Sequence, residues 1–326
     1  MTTGALRGQA SRIHEAGFYG SDAEFRALIV PFVEAGIAAG EPVIIGYDDR
    51  KSGLLRSWLT DPSAIEFLGD EGLYNTPAGA IATYRRLFEF HVSLGAAQIR
   101  IAGDVPHPGN GGRFEGWDRY ESAINTVWQD FPAWARCLYD TTTTSAAVLD
   151  VVERTHPRIV SPSGERRASG RYQDALTFEG LPYVPDPLED APPVVELVDR
   201  PAAEARRALV QAGGGRVPSA ALQDLLIGVT EAVTNAQRHG RPPVTVRIWT
   251  APDRLVVTVH DTGHGPADRL AGLVPALGST PDRRLGMGLW VMHQLDLDVA
   301  LKHAGNGFTV RLRHLPGSSG PTATAE

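Results

Sequence analysis

The chain is 326 residues long, enough for about two domains, with the 42% hydrophobic and 21% charged content of an ordinary globular protein. A net charge of -7, without a basic tract or interleaved basic and aromatic residues, argues against direct nucleic-acid binding. The one cysteine, Cys137, excludes an intrachain disulfide. Neither a signal peptide nor an apolar run long enough to cross a bilayer is found, so a reduced, cytoplasmic setting is expected.

Residues 1–12 are small and polar and are expected to fray. From Asp22 to Ala39 the spacing of Phe25, Leu28, Ile29, Phe32, Val33 and Ile37 predicts a helix, ended by Gly40. Residues 42–47 read as a buried strand, 52–59 as a helix, 64–68 as a short strand and 77–94 as a long helix. A strand at 98–102, a helix at 114–128, a strand at 135–139 and a helix at 145–152 continue the alternation. Strands alternating with helices imply βαβ units and a mostly parallel sheet, whose ligands bind at the carboxyl ends of the strands. Asp48, Asp49, Asp104 and Asp140 stand at those ends, and His14 and Tyr19 just before the first helix. They could line a sensory pocket, or serve as the turn and cap residues that aspartate favours. No Walker A pattern occurs; His14, His107 and His156 lack metal-ligand spacing; and Cys137, in an apolar strand, reads as core.

Several segments of this half are similar to the MEDS sensory domain: His14-Glu15-Ala16-Gly17-Phe18-Tyr19, Phe32-Val33-Glu34-Ala35-Gly36-Ile37, Gly40-Glu41-Pro42-Val43, Tyr120-Glu121, Cys137-Leu138-Tyr139-Asp140 and His156-Pro157. The resemblance covers residues 12–160. It implies a RecA-like α/β shape without the P-loop and a role in sensing small molecules or protein partners.

Residues 161–193 change character. A polar, basic stretch gives way to Pro182, Pro185, Pro187, Pro192 and Pro193 with acids between them, which reads as a semi-rigid linker. An edge strand at 194–198, a helix at 202–211 and a glycine loop at 213–215 follow. The helix Ser219–His239 then organises what remains. Leu222, Leu225, Leu226, Val229, Val233 and Ala236 form its apolar stripe, and Glu231 and Asn235 fall on the opposite side one turn apart, with Arg238 and His239 nearby. A carboxylate and an amide pointing the same way suit Mg²⁺, which takes oxygen ligands; a merely solvated face is the other reading.

Two strands, 244–250 and 255–260, are joined by a turn at Pro252-Asp253. The second runs into Asp261-Thr262-Gly263-His264-Gly265, where the aspartate could accept from a base amine and the glycines admit close backbone approach. Arg284-Leu285-Gly286-Met287-Gly288-Leu289 then opens a helix at 289–295, offering N–H groups to phosphate. A hairpin of 299–302 and 308–312 turns at Asn306-Gly307, and the tail 315–326 is expected to be disordered.

Taken in that order, these motifs resemble the GHKL (Bergerat) ATP-binding fold over residues 194–314, an α/β sandwich. Glu231 to His239 looks like the N box of the anti-sigma-factor serine kinases of the RsbW and SpoIIAB kind. The resemblance implies Mg²⁺ on Asn235, Glu231 as general base and Asp261 on adenine. It further implies that Gly263 and Gly265 shape the pocket, that Gly286 and Gly288 lie by the phosphates, and that His239 belongs to the nucleotide-binding set. Residues 266–284 would be the ATP lid. Arg283 or Arg284 could stabilise the transferring phosphoryl group; Arg284 is taken as the candidate.

Together the two halves point to a cytoplasmic regulator of a sigma-factor pathway. A sensor would control a domain that uses ATP and Mg²⁺ to phosphorylate a serine of a STAS-type anti-anti-sigma partner, or that holds a sigma factor. A homodimer of ATP domains is implied by the resemblance. The alternatives are an ATP-binding interaction module without chemistry and, against the proline-rich segment before residue 194, a sensor histidine kinase.

Overall fold

The computed structural model describes residues 12–69, 74–274 and 287–314; the expectations for the two chain ends and for Arg283, Arg284 and Gly286 lie outside the described residues. The chain divides into two compact units, Met1–Tyr74 with Ala80–Gly180, and Asn75–Gly79 with Leu181–Glu326.

In the first unit, strands β1 (Ile13–Tyr19), β2 (Val43–Gly46), β3 (Ile65–Phe67), β4 (Ile99–Gly103), β5 (Ala133–Asp140) and β6 (Arg158–Val160) are all parallel, and β7 (Arg166–Ala168) runs antiparallel at the edge. Their order is β3-β2-β4-β5-β1-β6-β7. Between them run α1 (Asp22–Ala39), α2 (Asp49–Trp58), α3 (Pro77–Ser93), α4 (Trp117–Val127) and α5 (Ala146–Thr155). The ends of α1 show why the sequence marked it well. The Ser21 side chain accepts from the Glu24 N–H, and Gly40 closes the helix in the left-handed region at φ 69°.

The strand β1 escaped the sequence reading although it lies between β5 and β6. A strand covered on both faces should read as a continuous apolar run, and Ile13–Tyr19 does not, because it carries His14 and Glu15 inward. Glu15 is fully buried. Its Oε1 accepts from Arg136 Nε (2.8 Å) and Nη2 (2.5 Å) and from Trp134 Nε1 (2.8 Å), and its Oε2 from Arg166 Nε (3.1 Å). An inward charge so fully answered can occupy a core strand.

The second unit is a sheet of five antiparallel strands in the order β11-β12-β10-β9-β8. They are β8 (Val195–Val198), β9 (Thr245–Ala251), β10 (Arg254–Asp261), β11 (Asp298–Ala304) and β12 (Gly307–His314). Three helices, α6 (Ala202–Gly213), α7 (Ser219–His239) and α8 (Met287–Met292), share one core with it. Leu209, Leu225, Val229 and Val233 from the helices meet Ile248, Leu255, Val257 and Leu312 from the strands. A parallel α/β sheet followed by an antiparallel sheet packed with helices is the fold class the sequence predicts.

The proline-rich segment is not a bare spacer. Residues up to Gly180, β7 among them, cluster with the first unit, and Leu181 onward with the second. Proline rules out a regular helix there, yet it leaves side chains and carbonyls able to dock. Asp186, fully buried, accepts from Arg313 Nη1 at 2.9 Å, Arg311 Nη1 donates to the Val184 carbonyl at 2.6 Å, and Trp249 Nε1 donates to the Ala191 carbonyl at 2.8 Å.

Removing one partner from a buried ion pair strands the other charge without water. Glu15→Ala is therefore expected to destabilise the first unit by about 3–5 kcal/mol, measured as the shift of its transition in urea unfolding followed by circular dichroism.

Candidate functional site

Helix α7 begins after Pro218 and ends where the Gly240 N–H bonds the Ala236 carbonyl. Its buried residues are Ala221, Leu225, Gly228, Val229, Ala232, Val233 and Ala236, a wider arc than the stripe read from the sequence, in which Leu222 and Leu226 are only partly buried. The face bearing Glu231 and Asn235 is not open either. Both residues are half-buried, because the start of α8 presses on them. At Gly288 an added Cβ would stand 2.6 Å from Asn235 Nδ2 and 2.7 Å from Glu231 Oε2. Only a residue without a side chain lets the helix start come that close.

Asp261 terminates β10 and is buried, 4% exposed. Its Oδ1 accepts from two backbone groups, the Gly263 N–H at 2.7 Å and the Arg241 N–H at 3.1 Å. Both bonds use the same oxygen, so the carboxylate is fixed in orientation while Oδ2 takes part in neither. The turn beyond is shaped by Gly265, at φ 69°, where a Cβ would meet the Phe308 ring at 2.5 Å.

These parts enclose one pocket. Asn235 and His239 of α7, Asp261 of β10 and Gly265 line it, four of the residues singled out from the sequence. Val259, Leu289, Phe308, Val310, Ala271 and the alanines of α7 supply apolar walls around roughly 810 Å³ of space, part of it open to solvent. Gly263 lies against Asp261, and Gly288 against Glu231 and Asn235. A largely apolar slot with a fixed carboxylate and a side-chain amide in its wall can hold a flat ring with a polar edge. Gly240 was not singled out; it packs against the Asp261 carboxylate and lines the pocket, and its only local signal is its place one residue beyond the helix. The walls Phe308 and Val310 come from a distant strand and have no local signal.

At the carboxyl edge of the first sheet the aspartates divide. Asp48 caps α2, accepting from the Lys51 N–H at 2.7 Å, and Asp140 accepts from Thr142 N–H and Oγ1–H at 2.8 and 2.6 Å. Those two are a cap and a turn residue. Asp104 is different: it forms a buried ion pair with Lys51, whose Nζ stands 5.8 and 5.7 Å from the ring centres of Tyr19 and Tyr47.

Residues 13–157 match the family model described as MEDS, the methanogen/methylotroph, DcmR sensory domain, and residues 197–314 match that of the histidine kinase-like ATPase domain. The chain thus carries a MEDS domain on its N-terminal side and a GHKL-type ATPase domain on its C-terminal side. No curated protein matches the chain. Among solved structures it is similar to the histidine kinase domain of the Erythrobacter litoralis EL346 blue-light activated histidine kinase, with 20% identity and a TM-score of 0.22 over 34% of this chain and 58% of that one. It spans 39% of the longer structure of that kinase. The mycobacterial sensor histidine kinase MprB is similar at 15% identity and TM-score 0.25, over 36% of this chain and 95% of that one. The histidine kinase domain of the E. coli osmosensor EnvZ is similar at 20% identity and TM-score 0.23, over 42% and 98%. Likenesses at these TM-scores decide nothing about function.

At Gly240 a Cβ would collide with the pinned Asp261 carboxylate and come within 2.6 Å of the Ala236 carbonyl. Neither neighbour can move cheaply, so Gly240→Ala should lower the stability of the second unit by about 1–3 kcal/mol, read as a lowered midpoint in denaturant unfolding.

Proposed function

We propose that the second unit binds Mg·ATP and phosphorylates a serine of a STAS-type anti-anti-sigma partner, or holds a sigma factor, under control of the sensory first unit. The observation that carries this reading is the meeting of Glu231, Asn235 and Gly288 beside a pocket containing a pinned aspartate. The donors fit the group. An amide oxygen beside a carboxylate suits Mg²⁺, which is held by few protein ligands and otherwise by water and phosphate. Asp261, with Oδ1 tied to two N–H groups, keeps Oδ2 for the exocyclic amine of adenine between apolar walls.

When bound, ATP supplies the transferable phosphoryl group and Mg²⁺ the charge that offsets it. This chain's residues then act as follows. Asn235 would hold the cation. Glu231, one turn away, would accept the proton of the serine hydroxyl. Gly288 keeps a side chain out of the space between them. Among the described residues no helix is long and apolar enough to cross a membrane.

Incubation of the protein with γ-labelled ATP and the STAS proteins of the same cell should place label on a serine, and Glu231→Gln should remove it. Acid-labile label on the chain's own histidine would replace this reading with a histidine kinase, and ATP binding without any label would replace it with an interaction module.

Two substitutions check the pocket itself. Asn235→Ala should abolish Mg·ATP binding in calorimetry. Gly288→Ala displaces only side-chain ends, so it should weaken Mg·ATP at least tenfold, about 1.4 kcal/mol, with the unfolding midpoint nearly unchanged.

A further inference from the structure

Away from the nucleotide pocket, the first unit brings together four side chains that the sequence keeps apart. They are His14 on β1, Glu121 on α4, Cys137 on β5 and His156, which caps α5. One ligand atom from each lies within 4.8 Å of the others. His14, Glu121 and His156 are 5%, 0% and 0% exposed, and Cys137 is partly exposed. The sequence offered no ligand spacing for these histidines, and Cys137 read as core; the fold supplies the proximity through strand pairing, which sets Ala16 beside Cys137 and so turns His14 and Cys137 to one face.

The hydrogen bonds fix what each atom presents. Asn125 donates from Nδ2 to the Thr155 carbonyl at 2.7 Å, so its Oδ1, 3.0 Å from His14 Nδ1, accepts. His14 therefore carries its proton on Nδ1 and turns the Nε2 lone pair inward. His156 Nδ1 stands 2.9 Å from the Val152 carbonyl, which can only accept, so its Nε2 lone pair also points inward. Glu121 Oε1 accepts from Tyr139 O–H at 2.6 Å, leaving Oε2 toward the same point. Glu121 Oε2 and His156 Nε2 are buried without a hydrogen bond. Three acceptors thus converge with the Cys137 thiol as the one donor among them, 3.6 Å from His14 Nε2, and the two left without a donor in a buried space suit a cation.

Three of the spacings are those of a coordination sphere, and the set as a whole spans up to 4.8 Å. His14 Nε2 and His156 Nε2 lie 3.4 and 3.5 Å from Glu121 Oε2, and Cys137 Sγ lies 3.6 Å from His14 Nε2. Tetrahedral zinc bonds of about 2.0–2.3 Å put neighbouring ligand atoms about 3.3–3.8 Å apart. The bonds from Nδ1 to Asn125 and Val152, and from Tyr139 to Glu121, are the outer contacts that orient metal ligands. Burial holds both imidazoles neutral, His14 down at about 4 and His156 at about 3, and pushes the Glu121 carboxyl and the Cys137 thiol up. A divalent cation reverses that penalty for the two acids, since one carboxylate and one thiolate balance its charge.

We propose that His14, Glu121, Cys137 and His156 bind one divalent transition-metal ion, Zn²⁺ by its ligand set, as a closed four-coordinate site joining β1, β5, α4 and the end of α5. On binding, the thiol releases its proton to solvent and the sulfur takes the metal in its place. With all four positions filled by protein, the ion holds the sensory unit together and leaves no open site for hydrolytic chemistry.

The protein, purified without chelators, should contain one equivalent of metal per chain by elemental analysis. Stripped and reloaded with Co²⁺, it should show a thiolate-to-cobalt charge-transfer band and the visible bands of a tetrahedral ion. Cys137→Ser should lose the charge-transfer band, and His156→Gln should weaken Zn²⁺ at least tenfold in competition with a chromophoric chelator. His107→Gln, outside the cluster, should change neither. If the wild-type chain takes up no stoichiometric Zn²⁺ or Co²⁺, the four groups form a protonated hydrogen-bond cluster and the proposal is overturned. It is equally overturned if cobalt binds without a charge-transfer band, or with one that survives in Cys137→Ser. The wild-type spectrum decides the matter even where a variant fails to fold, and none of these readouts depends on ATP.

Discussion

A carboxylate taken out of water must be answered by donors or by a cation, and this chain is built around carboxylates so placed. Glu15 is answered by two guanidinium groups and an indole N–H. Asp186 is answered by Arg313 and by the Leu188 N–H. Asp261 is answered by two backbone N–H groups that meet one of its oxygens. Glu121 is half answered, by Tyr139 on one oxygen, with the other facing two imidazole lone pairs. The first two acids hold the fold together. The other two each have an oxygen outside these bonds, and the two proposed sites lie there.

This difference explains which parts of the molecule the sequence discloses. Helix α7 is legible to its ends, since a 21-residue run with an apolar stripe and a following glycine leaves few alternatives. Helix α1 is as clear, with its serine cap and closing glycine. The strand β1 is not, because apolar patterning is the signal for a core strand and Glu15 breaks it; only the arrival of Arg136 from a strand far along the chain makes that glutamate tolerable. The three-residue strands β6 and β7 are too short to show a period. In the proline-rich segment, composition correctly forbids a regular α-helix, leaving only a 3₁₀ turn at Pro187–Asp190, but it says nothing of a docking that depends on arginines of β12 more than a hundred positions away.

Around the pocket of the second unit the glycines do two kinds of work, and the neighbours tell them apart. Gly240 is hemmed by a pinned carboxylate and a backbone carbonyl, so its smallness serves the fold. Gly288 is hemmed by the free ends of Glu231 and Asn235, which could swing aside with little loss of stability. A helix start held against two polar side chain ends is what the proposed Mg·ATP site would need of Gly288.

The two proposed sites differ in visibility for a physical reason. A phosphate or a planar base is gripped largely by backbone, and backbone can approach a ligand only where side chains are missing. Such a site therefore leaves runs of glycine in contiguous sequence, as in Asp261 to Gly265 and around Gly288. A transition metal is gripped by side-chain lone pairs alone, one from each residue. Any element that reaches the point can contribute one, and His14, Glu121, Cys137 and His156 come from four of them. What identifies that site is not spacing along the chain but the direction in which each Nδ1–H is already committed, since the committed proton fixes the lone pair, and the lone pairs converge.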